Sequence, residues 1–340
     1  MLISFTVFGQ RNVDLDKTNV TFFLKKLATR PFVLENRNYS VNVSFGPNAK
    51  ELFDADQIAS EINIDGVEKR AKDGDNLVHF FYGDVLIVST SVLDLSYDTK
   101  DKNGNVTGRV KQYQGEIKYS IKTDWSVKNK AGKSLSKKIT IGSENVYTFL
   151  TDKYGSYKEA GAFIKNNLIL IKDDLSRKHI KDELKNLNIT LTDFHGYIGT
   201  YENAKFWFVG DDEHRDYKDH QEIISLIKDL FKKIKSNESI VSLTPDFENI
   251  INRLAVYKTK YTGKTKHDRK MRYSALYNIA RIYYVMENFE MCKQVAAEIV
   301  TNDYSKGDSK DFIKKADKEI ERLTRNQLAS CHFPDPENLL

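Results

Sequence analysis

The apolar residues of this 340-residue chain keep one spacing through the first half and another through the last third. That change of period limits the fold more than any other feature. Tyr39, Val41, Val43 and Phe45 alternate with Ser40, Asn42 and Ser44. Ile117, Tyr119 and Ile121 alternate in the same way with Lys118, Ser120 and Lys122, and Trp125 and Val127 carry the pattern past Thr123. Successive side chains of a strand point to opposite faces, so a period of two predicts half-buried strands. Residues 77–82 and 84–97 are two further β-rich runs around Gly83, and Leu135, Ile139 and Ile141 form another. Turn signals stand between them at Gly46-Pro47, at 101–104 (DKNG) and at 129–133 (NKAGK). The expectation is an antiparallel meander, apolar on one face and rich in Lys and Ser on the other, curled or folded as a sandwich.

Helical spacing interrupts this region once, at 49–62, through Leu52, Ala55, Ile58, Ala59 and Ile62. Residues 156–167 and 174–187 are also helix-like, with 168–171 (LILI) ambiguous between them. The aromatic run 205–209 (KFWFV) reads as a strand returning to the sheet. Beyond it the chain is helical. Asp219, with Glu222 three residues on, predicts a capped helix over 220–235, whose stripe is Ile223, Ile224, Ile227, Leu230, Phe231 and Ile234. Thr244-Pro245 is a helix start, followed by Phe247, Ile250, Ile251, Leu254 and Tyr257 at helical spacing. A further helix is expected over 310–325.

The stretch 275–300, ALYNIARIYYVMENFEMCKQVAAEIV, resembles a tetratricopeptide repeat. Asn278, Ile279, Ala280 and Tyr283 stand where that family places its first-helix packing residues. Glu287-Asn288-Phe289 matches its Gly-Asp-Tyr turn, with Glu in place of Gly. Cys292 takes the small-residue position of the second helix, and Ala296 and Ile299 continue that helix's inner face. One repeat cannot bury its apolar face alone, so the helices at 245–262 and 310–325 must flank it. The other reading is a generic helical hairpin. The resemblance implies a fold and a tendency to bind proteins, without naming a partner.

The fold class expected is therefore α+β. A β-rich domain with inserted helices spans 10–210, a tetratricopeptide-like helical domain spans 211–330, and an extended tail spans 331–340. Residues 1–10, MLISFTVFGQ, read as the end of a secretory signal, with Val7 and Gly9 at the −3 and −1 positions of cleavage before Gln10. This resembles the signal-peptide ends of Bacteroidota envelope proteins, and 113–133 is similar to a Tyr-rich stretch of such proteins. No basic residue precedes the apolar run, so a buried N-terminal strand is the alternative. No stretch approaches the length of a membrane-spanning helix.

Lysine and arginine total 53 against 48 aspartate and glutamate, a formal net charge of +5. The cations are dispersed, whereas nucleic-acid binding concentrates them on one face, so no nucleic-acid partner is expected. The two cysteines, Cys292 and Cys331, exclude a disulfide scaffold. A single bridge stays open, although Cys292 fits better as a small buried helix residue. The sequence contains no P-loop, no G-x-G-x-x-G after a strand, no G-x-S-x-G and no H-E-x-x-H. No catalytic residue, enzymatic activity or cofactor is expected. His214 and His220, among the carboxylates of 211–220, are weak metal candidates, because their spacing is not that of a helical ligand pair. Nothing forces Asp193 and His195 together with Ser176 or Ser143 as a triad. His79 reads as a satisfied core histidine. Trp125 and Trp207, with Glu116 or Asp124, are the residues a carbohydrate-binding or hydrolytic reading would use. Strand alternation weakens it by placing Trp125 and Asp124 on opposite faces.

These features together predict a non-catalytic protein-binding subunit in the periplasm, associated with the outer membrane through partners. In outline it resembles accessory components of type IX secretion or of nutrient-uptake porins. The alternatives are the carbohydrate-binding or hydrolytic reading and a cytoplasmic scaffold.

Overall fold

The computed structural model describes residues 13–33, 36–136, 139–141 and 145–333. The leader expected at 1–9, Ser143 and the last seven residues of the tail lie outside the described residues. In chain order the strands are β1 (Leu15–Lys26), β2 (Asn38–Phe45), β3 (Glu68–Lys69), β4 (Asn76–Asp94), β5 (Tyr97–Lys100), β6 (Val106–Val110), β7 (Tyr113–Asn129), β8 (Ile139–Ile141), β9 (Tyr147–Tyr154) and β10 (Ile198–Val209). The helices are α1 (Ala49–Leu52), α2 (Ala55–Glu61), α3 (Tyr157–His195), α4 (Tyr217–Phe231), α5 (Thr244–Lys260), α6 (Lys266–Val285), α7 (Phe289–Thr301) and α8 (Lys306–Asn326). The class is α+β, a β-rich region followed by helices.

The chain forms two compact units, Phe32–His195 and a terminal unit of Met1–Pro31 with Gly196–Leu340. This differs from the expected boundary at 210/211. The difference comes from β1 and β10, which pair antiparallel along their whole length as a separate ribbon. Val20 and Phe22 of β1 and Ala204, Phe206 and Val209 of β10 share one core with α4 to α7. The run 205–209 is thus a strand, but it pairs with β1 and not with the large sheet.

In the Phe32–His195 unit the six-stranded sheet runs β3-β2-β4-β7-β8, with β9 also on β7. The strands β4, β7 and β8 form the expected antiparallel set, and β9, which the sequence reading does not include, joins β7 antiparallel. β2 enters parallel to both β3 and β4, because α1 and α2 carry the chain across between strands. The two runs around Gly83 are one strand, β4, with a register shift between Tyr82 and Val85. That shift presents Asp84, whose carboxylate accepts the Asn48 and Ala49 N–H groups at the start of α1 (2.9 and 2.8 Å). Residues 49–62 form two short helices, because Asp54 stops the first and caps the second by accepting from Gln57 N at 2.7 Å.

Val78, Phe80 and Tyr82 of β4 and Ile117, Ile121, Trp125 and Val127 of β7 form the buried face of the sheet. The 39-residue helix α3 packs on it with Ile164, Ile171, Leu175, Leu184, Leu187 and Leu191. Ser156 opens α3, its hydroxyl accepting from Glu159 N at 3.2 Å. The run 168–171 is the interior of this helix. Ile171 is buried on the stripe while Ile169 is 77% exposed, as a 3.6-residue period requires.

In the terminal unit α4 starts at Tyr217, three residues before the expected start, with Asp216 at the N-cap. It ends at Phe231, short of residue 235. Thr244-Pro245 does open α5, with proline in the first turn. The backbone of α8 begins at Lys306 and ends at Asn326. Of the tail, Cys331 and His332 are buried. Phe333 N donates to Ser236 O at 3.1 Å, and the His332 Nδ1 atom lies 2.9 Å from Lys235 O. These three residues are thus docked on the unit.

Candidate protein-binding groove

Within the terminal unit the ribbon and two helices border an open groove of about 620 Å³. β1 contributes Lys17 and Lys26, and β10 contributes Glu202, Asn203 and Lys205. On α6, Tyr277, Arg281 and Tyr284 follow at i, i+4 and i+7, so they share a face. On α8, Asp308, Phe312, Lys315, Glu319 and Arg322 repeat the same spacing. Seven basic side chains line the groove against four carboxylates, so its field is cationic.

Arg281 stands at the centre of this arrangement. Its guanidinium carbon lies 4.7 Å from the ring centroid of Phe312, 5.6 Å from that of Tyr277 and 5.9 Å from that of Tyr284. Its Nη2 donates to the Tyr277 hydroxyl at 3.2 Å, and its Nε is buried without a hydrogen-bond partner. No carboxylate lies within ion-pair distance of it among the described residues. A guanidinium stays charged at any physiological pH and offers a planar fork of donors. Three aromatic rings hold Arg281, each such contact contributing about 0.5–2 kcal/mol, so it is a fixed cation.

The flanks are tied down. Tyr273 and Ser305 hydroxyls donate to Asp308 at 2.6 and 2.7 Å. Lys17 Nζ sits 4.0 Å above the Trp207 ring. Burial raises the Glu319 carboxyl above its usual range, opposed by Arg322 at 3.5 Å and reinforced by Glu202 and Glu287.

The residues that carry the tetratricopeptide resemblance support this wall. Asn278, Ile279, Ala280, Phe289, Cys292 and Ala296 are buried, and Tyr283 is half-buried. Asn278 does more than pack. Its side-chain amide accepts from Trp207 N at 2.9 Å and donates to Trp207 O at 2.7 Å. It thereby stands in for a neighbouring strand on the open edge of β10. Glu287 occupies the turn position where the repeat family has Gly, and its φ is +59°, the left-handed region. Its carboxylate accepts from Cys331 N at 2.6 Å, so the side chain that strains the turn also anchors the docked tail. Cys292 and Cys331 are free and buried. Burial pushes the Cys292 thiol up to about 12 and the Cys331 thiol higher still. Both behave as structural thiols.

The metal candidates belong to a different construction. Asp216 accepts from both Lys260 and Tyr261, and Asp219 accepts from Tyr257 and from Arg253 at 2.5 Å. These bonds fasten the N-cap and first turn of α4 to the C-terminal half of α5 and to Tyr261. Burial alone would raise both carboxyls, but the hydrogen bonds and the cations hold them below the usual range. His220 lies 4.4 Å from the Tyr257 ring, its Nε2 buried and unpartnered, and desolvation lowers it to about 4. His214 stacks on His267 at 5.4 Å and accepts from Asp216 N at 3.2 Å. No group of three or more His, Cys, Asp or Glu side chains is arranged to hold a metal among the described residues. The two histidines are packed parts of this network.

Ser176 and His195 lie on the same helix, about 29 Å apart at 1.5 Å per residue. Trp125 is 2% exposed on the core face of β7, and Trp207 lies on β10 of the terminal unit. His79 is not a core residue. It lies on the opposite face of β4 from Val78 and Phe80 and borders an open cavity of about 510 Å³.

No family model matches this chain, and no curated protein matches it. Among solved structures, a minor lipoprotein from Acinetobacter baumannii is similar to it at 8% identity. The match covers 45% of this chain and 96% of that chain, with a TM-score of 0.19. No helix is long and apolar enough to cross a membrane among the described residues.

Proposed function

We propose that this chain is a non-catalytic, protein-binding subunit of a periplasmic or outer-membrane-associated complex, and that it holds an acidic segment of its partner in the groove beside Arg281. The single observation that supports this most is Arg281 itself, a permanent cation oriented by Phe312, Tyr277 and Tyr284 and left without a carboxylate. A partner carboxylate entering the groove gains a charge-assisted bidentate contact and loses little, because the arginine is already ordered. Lys315 and Lys318 extend the cationic field and favour encounter with an acidic chain. The tetratricopeptide resemblance and the leader-like first residues favour the envelope setting and an accessory role in transport or secretion.

The test is capture of the tagged full chain from native membranes in mild detergent, with mass spectrometry of its partners and of its own first residue. We expect a stoichiometric membrane-associated partner, a mature end at Gln10, and loss of that partner with Arg281→Glu. An intact Met1 with no membrane partner would overturn the envelope reading and favour the cytoplasmic scaffold. A partner retained by Arg281→Glu would remove the groove from the account.

A further inference from the structure

A second cavity, of about 450 Å³, lies in the Phe32–His195 unit between α3 and the strands β7 and β9. Its aromatic wall is Tyr119 and Tyr147, stacked with centroids 5.5 Å apart at 29°. His179 meets the Tyr147 ring edge-to-face at 5.1 Å. One side is apolar, through Phe149, Ile171 and Leu175. The other is acidic: Asp174, Asp182 and Glu183 follow along α3 with Lys178 as their counter-charge.

Two features set this cavity apart from a solvated cleft. The His179 side chain is only 9% exposed, it lines the cavity, and its Nδ1 atom is buried with no hydrogen-bond partner. The Glu183 side chain is 8% exposed and lies 3.7 Å from His179 Nε2, accepting also from the Thr123 hydroxyl at 3.4 Å. Burial lowers the imidazole and raises the carboxyl, so each is pushed toward its neutral form. A neutral histidine does not repel a cation, and a buried carboxyl with only long contacts gains when a cation arrives.

We propose that this cavity binds a small organic cation, an ammonium group carried on an apolar or aromatic body. The ammonium group takes the acidic end formed by Asp174, Asp182 and Glu183, the tyrosine rings supply cation–π contacts, and the body lies against Ile171 and Leu175. A bound cation favours the ionised Glu183 carboxyl, so affinity rises with pH through the range where that carboxyl titrates. The groups that face Glu183 and His179 are Thr123 and Tyr119 on β7, Tyr82 on β4, Tyr147 on β9, and Asp174, Lys178 and Asp182 on α3.

Benzylamine is the probe, with benzyl alcohol as its neutral counterpart, each titrated into the full-length protein while the His179 and tyrosine resonances are followed by NMR. Benzylamine is expected to bind at least about tenfold more tightly than benzyl alcohol. Replacing the two exposed rim carboxylates, Asp174→Asn with Asp182→Asn, is expected to remove most of that difference without unfolding the chain. Equal binding of both probes, absence of any shift at His179, or a preference for benzylamine that survives the double substitution would each overturn the proposal.

Discussion

Two clusters, one in each unit, treat their carboxyl groups in opposite ways. In the terminal unit Asp216 and Asp219 are each matched to a cation and a tyrosine, so their carboxylates stay ionised and clasp α4 to α5. In the Phe32–His195 unit the acid and base of the His179–Glu183 pair are each pushed toward neutrality by desolvation, beside an open cavity. The lesson is one of partner count. A carboxylate with two or three close donors is a fastening, whereas a buried one with only long contacts is held for another purpose or tolerated at a loss.

The sharpest way to break this comparison is to remove a carboxylate from each side. Asp216→Ala leaves Lys260 and the Tyr261 hydroxyl without their acceptor and should cost about 3 kcal/mol in urea denaturation. Glu183→Gln keeps the shape and removes a charge that burial disfavours, so it should change stability by less than about 1 kcal/mol. Equal losses from the two substitutions would show that the contrast is not physical.

Acid separates the units next. Folded, His220 takes a proton only near pH 4, whereas an unfolded histidine does so near 6.5. The unfolded chain binds more protons between those values, so stability is full above about 6.5 and falls as the pH drops toward 4. The loss approaches about 3 kcal/mol. His179 and His214, lowered by burial, act with the same sign. Asp216 and Asp219, held low, add a further loss as the pH falls through their folded values. Glu183, held high, acts oppositely: its contribution is present below the ordinary carboxylate value and is lost as pH rises. Denaturation at pH 7.5 and 4.5 should show a drop that His220→Gln reduces. An unchanged drop would place the titrating group elsewhere.

The smallest effect concerns the turn between α6 and α7. Glu287→Gly relieves a left-handed backbone, worth about 1 kcal/mol, and removes the bond to Cys331 N, worth about as much. Its stability should therefore stay within about 0.5 kcal/mol of the parent, while Glu287→Ala, which keeps the strain and loses the bond, should fall by about 1 kcal/mol. Thermal melting of the pair distinguishes them.

Much of this architecture is readable from residue spacing, because period-two runs such as Ile117 to Val127 and stripes such as Phe247 to Tyr257 report one buried face each. What spacing does not reveal is which strands meet. β10 carries the aromatic pattern of a sheet strand, yet its partner is β1, where Val20, Phe22 and Leu24 alternate with Thr21, Phe23 and Lys25 without a turn to mark the pairing. The 168–171 run reads ambiguously because two of its residues face outward from a helix that is otherwise regular. Of the groove, Asn278 was visible as a packing position. Its role as a surrogate strand was not, since that depends on the open edge of β10. Arg281, with Tyr277 and Tyr284, is not singled out by the sequence reading, and its lack of a carboxylate is a fact of three-dimensional placement. His179 and Glu183 are an ordinary i, i+4 pair until the sheet covers them.

The most direct test of the central claim is photocrosslinking in native membranes from position 315 in the groove, compared with position 178 at the second cavity. A protein-binding groove predicts one dominant protein adduct from 315, absent from 178 and abolished by Arg281→Glu. Equal adducts from both positions, or an adduct from 315 that persists in Arg281→Glu, would contradict it.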